Sequence, residues 1–212
     1  MTTAMRIMIM AAAFGFCVNQ SRAVTPHFFI GANAQWNEPT GDFGEAADEV
    51  QGTVWDGNAA GVMGGQFDAG IISDNGQVYA GYRIVDFDEK QSDGDVEWRN
   101  NSRWLAGVRW HMLGTLESPI TPILGVGVSA GKTEGIFKQP SPGDEIIAEL
   151  TSDNTWGWFL EGGAALRPPQ TPIVFNGAIQ YHRYEASFEN EDLNVEFSIS
   201  YLTYQLGAQI YF

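Results

Sequence analysis

The stretch Tyr201-Leu202-Thr203-Tyr204-Gln205-Leu206-Gly207-Ala208-Gln209-Ile210-Tyr211-Phe212 decides the fold. Leu202, Tyr204, Leu206, Ala208, Ile210 and Phe212 fall on one side of an extended chain, and Tyr201, Thr203, Gln205, Gly207, Gln209 and Tyr211 on the other, because successive side chains of a strand point to opposite faces. A helix would scatter both sets around its circumference. The period of two therefore predicts a β-strand. Its two faces divide unusually: one is wholly apolar, and the other carries Tyr, Thr, Gln and Gly instead of core-forming aliphatics.

The same period runs upstream, in segments near 27–37, 60–72, 77–88, 96–113, 120–134, 155–166, 173–187 and 195–212. Each carries an apolar stripe, such as Ile30-Ala32-Ala34-Trp36, Trp104-Ala106-Val108-Trp110-Met112 or Trp156-Trp158-Leu160. Water does not tolerate so much contiguous apolar surface. A bilayer does, and closing the sheet on itself leaves no unpaired strand edge in hydrocarbon. The connections alternate in length. Asp74-Asn75-Gly76, residues 114–119 and residues 167–172 have the Gly, Pro and Asn-Gly chemistry of tight turns, whereas 38–59, 89–95, 138–154 and 188–194 are long, polar and acidic. Short periplasmic turns and longer outer loops are what a transmembrane barrel requires. Of the 26 acidic residues, only Asp68, Asp74, Glu117 and Glu161 lie away from the long loops and the strand ends beside them, so one end of the molecule is strongly negative. The expected fold class is all-β: an eight-stranded antiparallel up-and-down transmembrane β-barrel, small and porin-like.

Ahead of the first strand, Arg6, the apolar run Ile7 to Val18 and the small-x-small triplet Ser21-Arg22-Ala23 read as a secretory signal over residues 1–23. The run is short of the roughly 18 residues that a spanning helix needs. The barrel is expected over residues 24–212. Cys17 is the one cysteine and lies inside the signal, so neither a disulfide nor a cysteine metal site is expected in the barrel. Losing Arg6 and Arg22 with the signal makes the remainder two units more negative than the −15 of the full chain. That balance disfavours a nucleic-acid partner.

The final segment Tyr204 to Phe212, with Tyr204, Leu206, Ala208, Ile210 and Phe212 at alternate positions, resembles the signal by which the barrel-assembly machinery of Gram-negative bacteria recognises outer-membrane barrels. The whole pattern resembles the small eight-stranded barrels typified by the transmembrane domain of outer membrane protein A and by opacity-type surface proteins. The resemblance implies the outer membrane as location, outer-membrane lipids and lipopolysaccharide as surroundings, and a monomer. The sequence stops at the last strand, so the peptidoglycan-binding domain of outer membrane protein A is not expected.

Strand parity assigns Asp68, Arg83, Arg109 and Glu161 to the lumen near the short turns. If Asn75-Gly76 forms a two-residue type I′ turn, Asp74 faces Gln77 and Asp68 lies directly opposite Arg83. Two acids then meet two bases at one depth, an interior network that resembles the one filling outer membrane protein A. An eight-stranded barrel has room only for side chains or one small ligand, and opposite charges there must pair, since an isolated ion costs several kcal/mol by rough estimate. His111 and His182 also point inward and His27 begins the first strand, with no metal-ligand spacing among them. No metal and no cofactor are expected. The acidic loops, including Asp93, Asp95, Asp144 and Glu145, read as a solvated anionic rim that bridges to lipopolysaccharide phosphates through divalent ions. Gly61 to Gly65 and Gly125-Val126-Gly127 lie in strands, so they suit close packing and not nucleotide binding.

Eight-stranded outer-membrane barrels include a lipid A deacylase with a Ser-His-Glu triad, and Tyr181-His182-Arg183-Tyr184-Glu185 offers a histidine near the matching place. The family's serine two positions after that histidine and the asparagine after it are here Tyr184 and Glu185; Ser187 is five away and on the opposite face. The expected function is therefore a non-catalytic structural or surface-interaction role. A narrow channel or small hydrophobic-solute conduit is the alternative, and a lipid A hydrolase the more distant one. Deleting Phe212 is expected to leave periplasmic or degraded protein. Heat-modifiable migration of outer-membrane fractions checks this, and an undiminished folded band from the deletion strain would refute it.

Overall fold

The computed structural model describes residues 26–40, 47–50, 53–56, 59, 61–73, 75–87, 96–99, 101–113, 118–138, 146–189 and 194–212. The expected signal, with Cys17, lies outside them, as do Asp93, Asp95, Asp144 and Glu145. The strands are β1 (His27–Pro39), β2 (Ala47–Val50), β3 (Thr53–Asp56), β4 (Val62–Ile72), β5 (Gly76–Ile84), β6 (Val96–Arg99), β7 (Arg103–His111), β8 (Ile120–Gly131), β9 (Glu134–Lys138), β10 (Ile146–Thr151), β11 (Thr155–Leu166), β12 (Ile173–Glu189) and β13 (Asn194–Tyr211). Eight of them close into an antiparallel barrel in the order β1-β13-β12-β11-β8-β7-β5-β4. Among the described residues no helix is long and apolar enough to cross a membrane. Closure is made by β1 on β13, from Phe29 opposite Tyr211 to Pro39 opposite Tyr201. Beyond that ladder Phe28 and Phe212 exchange backbone hydrogen bonds of 3.1 and 2.9 Å.

The alternation predicted for each strand holds around the barrel. Phe28, Met63, Phe67, Trp104, Trp156, Leu206 and Phe212 are among the large apolar side chains that face outward, and Gln35, Gln66, Gln77, Gln180, Thr203 and Gln205 are buried inside.

The register of the β4–β5 hairpin departs from the turn arithmetic. Ser73 N donates to Gly76 O at 2.7 Å, with Ser73 Oγ donating to the same oxygen at 3.1 Å. The chain therefore reverses between Ser73 and Gly76, one residue earlier than an Asn75-Gly76 turn would place it. Ile72 faces Gln77, Asp68 faces Gly81, and Gln66 faces Arg83. The expected Asp68 to Arg83 partnership is thus shifted by two residues. A slip of two preserves the face of every side chain while changing its partner, which is why parity survives and the pairing does not.

Three further expectations are corrected at the end opposite the short turns. The segment 96–113 is not one strand, because β6 leaves the barrel to pair with β9, and β10 completes a separate three-stranded sheet. The connections 38–59 and 138–154 carry strands of their own, the β2–β3 hairpin and β10. The lumen is also not polar throughout. Val85, Phe87, Trp98, Phe188, Phe197 and Ile199 form a buried apolar plug at this end, with Trp98 edge-on to Phe197 at 5.0 Å. Toward the short turns a second apolar cluster contains Phe29, Ile72, Ile123, Val174 and Tyr211, and reaches up to Leu105 and Phe159. Burying each such side chain contributes roughly 1.5–3 kcal/mol.

Cysteines introduced at Ala69 and Ala80, which face each other on the outer surface, are expected to form a disulfide on mild oxidation, since paired strand positions fall within disulfide reach. Cysteines at Ala69 and Tyr82, partners only in the turn-derived register, are not. Non-reducing electrophoresis distinguishes the two pairs, and preferential linkage of the second would restore the original register.

Candidate functional site

The polar section of the lumen is built on strand positions that parity turns inward, and its charges are held by reach across small residues. Gly125 of β8 is the cross-strand neighbour of both Arg109 on β7 and Glu161 on β11. A Cβ at Gly125 would lie 3.2 Å from Glu161 Cβ and 3.3 Å from Arg109 Cγ, so glycine lets the two side chains meet over it. Arg109 Nε donates to Glu161 Oε1 at 2.6 Å. Its Nη2 lies 3.8 Å from Asp68 Oδ2, an electrostatic contact longer than a hydrogen bond. The guanidinium also sits 4.2 Å above the Tyr79 ring. Gly81 serves Asp68 in a similar way: a Cβ there would meet the Asp68 carboxylate and lie 2.6 Å from Phe67 O.

Both carboxylates collect further donors. Asp68 accepts from Gln66 Nε2 at 2.7 Å and Asn33 Nδ2 at 3.0 Å. Glu161 accepts from Gln180 Nε2 at 2.6 Å and from Tyr79 Oη at 3.4 Å. The same two glutamines turn their carbonyls to Arg83: Nη2 donates to Gln66 Oε1 at 2.8 Å and also to Gln180 Oε1. A closed ring results, running Arg83, Gln66, Asp68, Arg109, Glu161, Gln180 and back to Arg83. Arg83 Nη1 donates to His182 Nε2 at 2.5 Å, making that nitrogen the acceptor, and His182 is stacked on Tyr201 with ring centroids 4.8 Å apart.

The four charges singled out in the sequence are therefore all inside, in an arrangement different from two separate ion pairs. Arg109 serves both acids, and Arg83 is joined to them only through glutamines; among the described residues it meets no carboxylate. Gln66, Gln180, Tyr79 and Asn33 were not singled out beforehand. Parity already turned them inward, but only the register shows that they lie level with the charges.

His111 is buried, with neither ring nitrogen hydrogen-bonded among the described residues. His27 packs edge-on to Tyr211 at 5.6 Å. No group of three or more potential metal ligands occurs among the described residues. His182 is buried in the lumen while Ser187 of the same strand faces the other way, so the two do not form the base and nucleophile that acyl transfer requires. Tyr204, Leu206, Ala208, Ile210 and Phe212 share the outer face of β13.

The unequal distances predict unequal coupling. Arg109→Gln alone is expected to destabilise the barrel by about 3–5 kcal/mol through the buried carboxylates it leaves. Combined with Glu161→Gln, the loss should fall short of the sum by on the order of 1–3 kcal/mol; combined with Asp68→Asn, the shortfall should be smaller. Urea unfolding in lipid vesicles measures both cycles. Strict additivity for Arg109 and Glu161 would refute the contact.

No family model matches the chain, and no curated protein sequence matches it. Solved structures do. The fold is similar to that of Neisserial surface protein A at 11% identity and TM-score 0.55, covering 87% of this chain and 97% of that one. It is similar to outer membrane protein OprG from Pseudomonas aeruginosa at 16% identity and TM-score 0.56, covering 89% and 96%. It is also similar to outer membrane protein AlkL in DMPC lipid bilayers at 14% identity and TM-score 0.51, covering 92% and 94%. At these identities the likeness is one of fold, and the fold is that of the small eight-stranded outer-membrane barrels.

Proposed function

We propose that this chain is a monomeric outer-membrane barrel of a Gram-negative cell with a structural or surface-interaction role and no catalysis. One observation carries the reading: the outward face of the barrel is a continuous apolar surface, with Phe28 62%, Phe67 61%, Trp104 66%, Leu206 73% and Phe212 70% exposed. In water so large a patch drives association; against lipid chains it is satisfied, and the pairing of β1 with β13 closes the two edges that an open sheet would leave bare in hydrocarbon. The short turns then face the periplasm and the acidic connections face outward, where carboxylates bridge through divalent ions to lipopolysaccharide phosphates. The stripe Tyr204, Leu206, Ala208, Ile210 and Phe212 is the part that the barrel-assembly machinery reads. A filled lumen argues for a scaffold that presents its outer end.

A second reading, a narrow channel or conduit, is favoured by the continuity of the polar section from Gln77 to Thr203, and it requires both the aromatic plug and the apolar cluster at the short turns to move.

An epitope tag near Pro142 is expected to be reached by antibody on intact cells, and one at Gln170 only after permeabilisation, with both proteins fractionating to the outer membrane. The reverse accessibility would overturn the orientation, and recovery in the soluble periplasmic fraction would overturn the membrane reading. Steady single-channel conductance of the purified protein in planar bilayers would favour the channel instead.

A further inference from the structure

We propose that the barrel binds a small oxoanion, such as inorganic phosphate or a carboxylate, at the step of the lumen formed by Arg83 and Arg103, directly beneath the aromatic plug. These two arginines are cross-strand partners on β5 and β7. Both point inward and are 0% and 1% exposed. Like charges directly opposite each other destabilise a sheet, and burial adds a desolvation cost to each. Deeper in the lumen Arg109 meets that difficulty with two carboxylates; here, among the described residues, neither guanidinium meets one.

The donors around this step outnumber their acceptors. Arg103 Nε donates to Ser129 Oγ at 3.3 Å, and Nη2 donates to Thr155 O at 2.6 Å and Oγ1 at 3.1 Å, while Nη1 has no partner. Asn101 Nδ2 and Thr133 Oγ1 are buried and make no well-formed hydrogen bond among the described residues, although the Tyr184 hydroxyl lies close enough to Thr133 and Arg103 to interact with both. Asn101 precedes Arg103 by two residues, on the same face. Arg103 is opposite Gly131, so the same register carried upward brings Thr133 opposite Asn101. Tyr184 ties these groups together: its hydroxyl is 3.4 Å from Asn101 Oδ1, and Arg103 lies 3.7 Å over its ring. The Tyr184 ring is 6.5 Å from that of Tyr201, over which Arg83 sits at 6.0 Å.

Three buried donors without a well-formed hydrogen bond, the cationic Arg103 at the start of β7 and Asn101 and Thr133 just beyond the ends of β7 and β8, share one neutral neighbour in Tyr184; beside a second cation with only neutral acceptors, they describe a site for a ligand that brings negative charge and several acceptor atoms. A phosphate or carboxylate has both, and charge-assisted bonds to guanidinium are the strong ones. A halide offers charge without separate acceptor atoms. The reading depends on the lumen alone and not on where the barrel resides in the cell.

The test uses the purified protein, refolded in detergent with chloride as the background anion, with inorganic phosphate in one arm and acetate in the other. Adding the anion during refolding lets it enter before the plug closes. Thermal unfolding midpoint and titration calorimetry are expected to show saturable binding in at least one arm, and the stronger arm names the class. Arg103→Gln should weaken that binding by at least on the order of tenfold. Asn101→Ala should weaken it less, and carries the test alone should the arginine variant fail to refold. Lys132→Gln, which removes an exposed cation nearby, should leave it unchanged. Absence of saturable binding in both arms, full retention in Asn101→Ala and Arg103→Gln, equal loss in Lys132→Gln, or an equal response to added chloride would each overturn the proposal.

Discussion

The ladder that joins β1 to β13 turns an open sheet with two bare edges into one with none. An eight-stranded closed sheet has a bore just wide enough for side chains. Closure therefore fixes two requirements at once: the outside must match whatever surrounds it, and the inside must be filled with residues that alternate with the outer ones along the same strands. Each strand has to satisfy both media, and the sequence does so with aromatic and aliphatic residues on one parity and amides, hydroxyls, glycines and a few charges on the other. Small residues at the points of crossing, Gly125 under Arg109 and Glu161 and Gly81 beside Asp68, keep the bore from overfilling.

Within that bore the ring through Arg83, Gln66, Asp68, Arg109, Glu161 and Gln180 solves a problem of valence. Each glutamine gives its N–H to a carboxylate and its carbonyl to Arg83, so the amides relay polarity between charges that do not touch. Such a ring joins five strands, β4, β5, β7, β11 and β12, through side chains alone. Buried networks hold a unique arrangement only when nearly every member is satisfied. Here the long approach of Arg109 Nη2 to Asp68, at 3.8 Å, is the weakest link.

Period-two patterning made strand number, faces and closure legible, because each depends only on local alternation and on the apolar face needing a medium. Asp68, Arg83, Arg109 and Glu161 were placed inside for the same reason. Who touches whom was not legible, since partnership depends on where a hairpin reverses, and Ser73 competes with Asn75 to set that point. A slip of two residues leaves the hydrophobic pattern unchanged, so the pattern carries no information against it. The departure of β6 from the barrel was hidden for a related reason: Val96 to Arg99 alternates like the strand it precedes. The plug was hidden because Phe87, Trp98, Phe188 and Phe197 lie far apart in sequence and gather only when the strand ends meet.

Along its axis the lumen runs from an apolar cluster at the short turns, through the polar ring, to the Arg83 and Arg103 step and the aromatic plug. Charge is concentrated where neighbouring residues can reach it from several strands, and it is sealed from both ends by side chains that exclude water. Sealing strengthens every electrostatic contact inside, which stabilises the ring around Arg109 but penalises Arg83 and Arg103, whose neighbours supply dipoles without charge. The plug and the arginine pair are therefore energetically coupled: the tighter the aromatic packing above, the greater the stabilisation gained from a negative charge below.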